Sequence, residues 1–172
     1  MHTWTPGQLR AVDPDYFETM RIPLMRGRLI GRRDDARTAP VVVVNETMAG
    51  DLNLGERLLG TKIRISSGDV SCPCEVVGVV ADVRENGLDE AYTPIYYLPQ
   101  AQSIWTTRSL VVRASASPDM VMGSMRAAVA AVDPAIPLFD LQPFSDLVDR
   151  QLASPRFNTW LLALPVRMRT AF

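Results

Sequence analysis

The apolar positions of this chain change period repeatedly, and each change marks an element. Val41–Val44 is an unbroken β-branched run, the pattern of a strand buried on both faces. Thr61–Ser66 alternates instead, Ile63 and Ile65 against Lys62 and Arg64, which predicts a half-buried strand. Glu75–Val83 is valine-rich and interrupted by Gly78, which points to a bulge or a close backbone approach. Gln8–Val12 and the aromatic run Ile95–Leu98 predict two further strands. Ser109–Ser115 alternates, with Leu110 and Val112 on one side and Val111 and Arg113 on the other, and Leu138–Leu141 reads as a strand after it.

Helices are marked by their caps. Asp13 caps a short helix with Pro14 in its first position, and Tyr16, Phe17 and Met20 share one face; Ile22–Arg28 leaves it as an extended segment. Asn45 caps a second helix, with Glu46 in its first turn, Met48 and Leu52 on its apolar side and an end between Leu52 and Gly55. Ser117 and Pro118 open a third, in which Val121, Met125, Ala128, Val129 and Val132 recur at helical spacing until Asp133-Pro134 stops it. A final helix begins near Pro143 and carries Phe144, Leu147, Val148, Gln151 and Leu152. Gly31–Thr38 is charged and reads as a solvated loop.

Strand–helix–strand order at both ends predicts an α+β fold. Two βαβ units form a mixed-sheet platform under one layer of helices, with an inserted strand-rich subdomain between them. Segments 8–38 and 100–155 make the βαβ subdomain and 39–99 the insertion. A chain of 172 residues, 47% apolar and 22% charged, can build such a core. Its net charge of -1 offers neither the basic surface that nucleic acid requires nor a polybasic membrane patch. The N-terminus has no signal-peptide pattern. No apolar window is long enough for a bilayer span; the nearest, Trp160–Leu164, is stopped by Pro165, Arg167 and Arg169.

Candidate chemistry is sparse. His2 is the only histidine, so neither a Ser-His-Asp nor a Cys-His arrangement can be built in the body of the chain. Cys72 and Cys74, separated by Pro73, lack further metal ligands, and a disulfide between them is strained; they read as a pair of thiols in a turn between two strands. Gly60-Thr61-Lys62 lacks the upstream glycines of a phosphate loop, and Lys62 reads as an outward residue on its strand. Asp82, Asp89 and Glu90 in the polar stretch 82–90 match no calcium loop and read as solvated charges around an Asn86-Gly87 turn. Trp105 is either a partner anchor or the cover of a core edge. Met120, Met122 and Met125 are gap fillers in helix packing. No catalytic, cofactor-binding or metal-binding residue is assigned.

Several segments resemble one family when taken in order. They are Val12–Leu24 with Arg26-Gly27-Arg28, Val41–Asn45 with Met48-Ala49, Leu59–Arg64, Val76–Val80 with Asp82-Val83-Arg84, Gly87–Glu90, Tyr96–Pro99 and Ala127–Pro134. Their order and spacing are similar to the periplasmic core domain of MacB/FtsX-type ABC transporter permeases, especially the duplicated orphan permeases of Acidobacteria. The resemblance implies a non-enzymatic domain on the periplasmic side of the inner membrane, without cofactors. It implies an ABC ATPase as partner, a second permease copy in a dimer, and a substrate or adaptor. The role implied is to couple ATP-driven motion of membrane helices to export or extraction. Against that pattern the opening part of the domain is missing, and 156–172 resembles the truncated start of a transmembrane helix. Apolar edges left open in this way predict marginal stability and association. The alternative reading is a free-standing periplasmic module that binds a ligand or protein.

Overall fold

The structure, a computed structural model, describes residues 6–67, 70–84, 91–103 and 109–149. The chain forms two compact units, Met1–Arg113 and Ala114–Phe172. His2, Trp4, Trp105, Trp160 and segment 156–172 lie outside the described residues, as do Asp89 and Glu90.

The first unit is built on a mixed six-stranded sheet. Its strands are β1 (Gln8–Val12), β2 (Leu24–Gly27), β3 (Val41–Asn45), β4 (Lys62–Ser67), β5 (Val70–Val80) and β6 (Ile95–Pro99). The order is β1-β6-β3-β5-β2, with β4 on the first half of β5. β1 runs parallel to β6 and β3 parallel to β5, while the β6–β3, β5–β2 and β4–β5 pairs are antiparallel. Strands read as an insertion therefore share one sheet with β1 and β2.

Central position explains the unbroken apolar runs. β3 and β6 are buried at every residue because both faces of the sheet are covered. Val42, Val44, Tyr96 and Leu98 join Met48 and Leu52 of α2 (Glu46–Leu52) on one face. Val43, Ile95 and Tyr97 join Phe17 of α1 (Tyr16–Met20) on the other. Helices thus lie on two faces, not in the single layer expected. The reason is that α1 and α2 each follow a strand of the same sheet but carry their apolar stripes to opposite sides. Phe17 meets Tyr97 edge-on at 5.2 Å between ring centroids.

Local geometry matches most of the caps. Asn45 ends β3 and caps α2, and Asn53 closes that helix in the left-handed region. α1 starts later than the caps suggest: Asp15 is its N-cap, and its side chain makes no capping bond. Asp13 acts through its carbonyl, which accepts the Tyr16 N–H at 3.1 Å.

Gly78 does both things its position implied. In the β3–β5 ladder Val42 pairs with Val76 and Val43 with Gly78, so Val77 is the extra residue of a bulge. Residues 72 and 74 are not in a turn. They lie inside β5, opposite Ile65 and Ile63 of β4, and Cys74 is buried and disulfide-bonded. Pro73 does not break this ladder. Glu75 N donates toward β3, to Pro40 O, at 2.9 Å. Strand alternation turns the nitrogen of residue 73 the same way, beyond the end of β3, where proline loses no bond.

In the second unit α3 (Pro118–Val132) begins and ends where the sequence places it. Val121, Met122, Met125 and Val129 form its half-buried stripe, whereas Val132 is 83% exposed. Residues 144–149 are helical. The strands expected at Ser109–Ser115 and Leu138–Leu141 are absent from the described residues. Apolar alternation marks a face, but a strand exists only when a neighbour completes its hydrogen bonds, and none does so here.

Candidate functional site

The charged loop 31–38 is not merely solvated, and it borders an open cleft of about 350 Å³ between itself, β3 and β5. Arg28, just past β2, donates from Nη1 to Asp34 Oδ2 at 2.7 Å and from Nη2 to Asp34 Oδ1 at 2.9 Å. Gly31 N donates to the same carboxylate at 2.8 Å. Asp34 is only 5% exposed, so this two-pronged pair is the loop's anchor.

Gln102 holds the far side of the loop. Its Nε2 donates to Asp35 O, Thr38 Oγ1 and Ala39 O, and its Oε1 accepts from Val41 N at 3.1 Å. The 3-10 turn Gln100–Gln102 thereby fixes the path of the chain into β3. Thr38, Val41, Val77 and Glu75 complete the walls of the cleft.

This arrangement fastens a loop and does not prepare a proton transfer. Burial pushes the Asp34 carboxyl up, but the hydrogen bonds from Arg28 and Gly31 and the Arg28 charge outweigh it. The group is held below the usual carboxylate range. A general acid or base working at neutral pH needs the opposite displacement.

The same interactions make stability depend on pH. Asp34 titrates lower in the folded chain than its ordinary value of about 3.9, so the unfolded chain binds this proton more readily. The stabilisation is complete above that ordinary value and is lost as pH falls through the folded one. Asp34→Asn is expected to lower unfolding free energy by about 1 to 3 kcal/mol at pH 7. The difference from wild type should close in acid, as pH falls through the lowered folded value and the wild-type carboxyl is itself neutralised. Urea unfolding at pH 7 and in acid reads this; an equal difference at both would mean that charge plays no part.

The remaining sequence candidates scatter. Lys62 is exposed on β4. Asp82 accepts from Thr47 N at 3.0 Å and from Thr47 Oγ1 at 2.8 Å, so it braces the start of α2. Among the described residues no group of three His, Cys, Asp or Glu side chains is placed to hold a metal. None of the described helices is long and apolar enough to cross a membrane. The roles of Arg28, Asp34 and Gln102 were missed in the sequence. The partners of Gln102 lie more than 60 residues away, and no local pattern connects them.

A mixed sheet with helices on both faces and a bulged β5 defines an α+β domain. The chain matches the family described as the MacB-like periplasmic core domain over residues 2–132, and it belongs to that family, the periplasmic domain of ABC transporter permeases. Its fold is similar to the periplasmic region of MacB from Actinobacillus actinomycetemcomitans, at 19% identity and a TM-score of 0.51 over 72% of this chain. It is also similar to a domain of a protein assigned as a permease from Porphyromonas gingivalis, at 18% identity and a TM-score of 0.42 over 70% of this chain. The chain spans 56% and 52% of the lengths of these two structures. No curated protein matches it in sequence.

Proposed function

We propose that this chain is a non-catalytic, extracytoplasmic part of an ABC transporter permease. In this reading it passes ATP-driven motion of membrane helices to a substrate or adaptor on the periplasmic side of the inner membrane. Its partners are an ABC ATPase and a second permease copy. The observation that carries the reading is the family match over residues 2–132. The braced sheet of the first unit suits this role. A domain that transmits motion must move as a body, and the two-sided core and the clasped loop 31–40 resist internal deformation.

Antibody to the chain, applied to fractionated cells that encode it, tests the proposal. The protein should partition with membranes, be cut by protease added outside spheroplasts and co-purify with an ABC-type ATPase. An ATPase-dead variant should abolish any nucleotide-dependent change in cleavage. Recovery in the cytosolic fraction, protected from external protease, would overturn it.

A further inference from the structure

A disulfide in β5 joins nothing that the fold does not already hold together. Cys74 is fully buried and disulfide-bonded, and Cys72 is the chain's only other cysteine. A bond between them ties two residues of one strand, not two elements. It closes a loop of three residues, and a cross-link restricts the unfolded chain least when its loop is short. The backbone ladder already fixes this stretch, with residue 74 opposite Ile63 and residue 72 opposite Ile65 of β4. Strand geometry also works against the bond. Residues two apart in a strand share a face, with Cα atoms about 6.6 Å apart, two rises of about 3.3 Å. A disulfide prefers about 5.5 to 6 Å, and departures from its preferred geometry make the bond easier to reduce.

We infer that Cys72 and Cys74 form a redox site that exchanges with a dithiol, and not a structural cross-link. The Cys74 sulfur lies in the apolar cluster with Ile63, Ile65 and Val76, closed to an incoming thiolate. A thiolate of the reductant therefore attacks the sulfur of residue 72. A mixed disulfide forms there, the bond between residues 72 and 74 breaks, and the Cys74 sulfur leaves with the electron pair and takes up a proton. The reductant's second thiolate then attacks its own sulfur in the mixed disulfide. The Cys72 sulfur leaves, is protonated in turn, and the reductant departs as its disulfide. Two electrons and two protons have passed from the dithiol to the protein. Reduced Cys74 stays in the core as a small apolar side chain, so the sheet survives the change. The site goes beyond the transporter reading and does not depend on it.

Alkylation of the full 172-residue chain with iodoacetamide, after equilibration in buffers of reduced and oxidised dithiothreitol, tests this by intact mass. No thiol should be labelled before reduction. The ratio of reduced to oxidised dithiothreitol that leaves half of the chains doubly labelled should be lower in native buffer than in urea, by about tenfold, because only the folded strand holds the two residues apart. Circular dichroism should be the same for the reduced and oxidised chain. Glutathione, a monothiol, should be trapped as a mixed disulfide on Cys72. Thiols that label in aerated buffer before any reductant is added overturn the inference. So does a half-reduction ratio that is equal or higher in native buffer, which is the mark of a structural disulfide, or a glutathione adduct on Cys74. None of these outcomes bears on membrane fractionation, which tests the transporter reading separately.

Discussion

Asn45→Leu should lower the unfolding free energy of the first unit by about 3 kcal/mol, although leucine is close in size and apolar. Asn45 is fully buried. Its Oδ1 accepts from Met48 N at 3.1 Å and from Ile95 N at 2.9 Å, and its Nδ2 donates to Thr93 O at 2.8 Å. One amide therefore caps α2 and fixes the start of β6. Leucine strips two buried N–H groups of their acceptor, and each such loss costs about 1 to 3 kcal/mol. Extra apolar burial returns about 1 to 2 kcal/mol, which leaves a net loss near the stated value. Against a total of about 5 to 15 kcal/mol for a domain of this size, that is a large share. Urea titration gives the magnitude. Amide hydrogen exchange gives the cause, because the Met48 and Ile95 amides should lose protection before the rest of the sheet. A loss below about 0.5 kcal/mol would mean that the interior supplies substitute acceptors.

What could be read from the sequence follows from which interactions are local. Val41–Val44 and Ile95–Leu98 announced two-sided burial because a central strand has no solvent face to interrupt its apolar run. Asn45 announced itself because few residue types cap a helix well. The joint order of short motifs from Val12 to Pro134 carried the family, which the match over residues 2–132 establishes. The failures are tertiary. Asp34 sits among Arg32, Arg33, Asp35 and Arg37, and a row of charges looks the same whether solvated or locked to Arg28. Ser109–Ser115 has the alternation of a strand, but alternation records a face and not a neighbour, and ladder bonds need both. The helices on two faces were hidden for a related reason. A stripe shows that a helix has an apolar side, while the side of the sheet it covers depends on the path between elements.

Gly78→Ala should cost about 3 kcal/mol or more, from the addition of a single methyl group. A Cβ on Gly78 would stand 2.1 Å from Arg28 O and 3.0 Å from Arg28 C, both backbone atoms that no rotamer change can move. Gly27 faces it in the β2–β5 ladder, with φ of 76° and with room for no more: its own Cβ would meet Val77 O at 2.3 Å. Just past β2, Arg28 N donates to Val77 O at 2.8 Å and holds the two strands at this close approach. To admit a methyl group β2 must retreat, and Arg28 retreats with it, away from Asp34. Gly60→Ala separates crowding from backbone strain. Gly60 has φ of 79°, but a Cβ there would meet nothing within 4 Å, so only the left-handed conformation is penalised, by about 1 kcal/mol. Urea midpoints should rank wild type above Gly60→Ala and Gly60→Ala well above Gly78→Ala. The Gly78 variant should also lose part of the acid-dependent stability assigned to Asp34, because the clash and the ion pair share Arg28. Equal costs at the two glycines would mean that β2 moves aside freely, and that the close approach to β5 contributes nothing to the sheet.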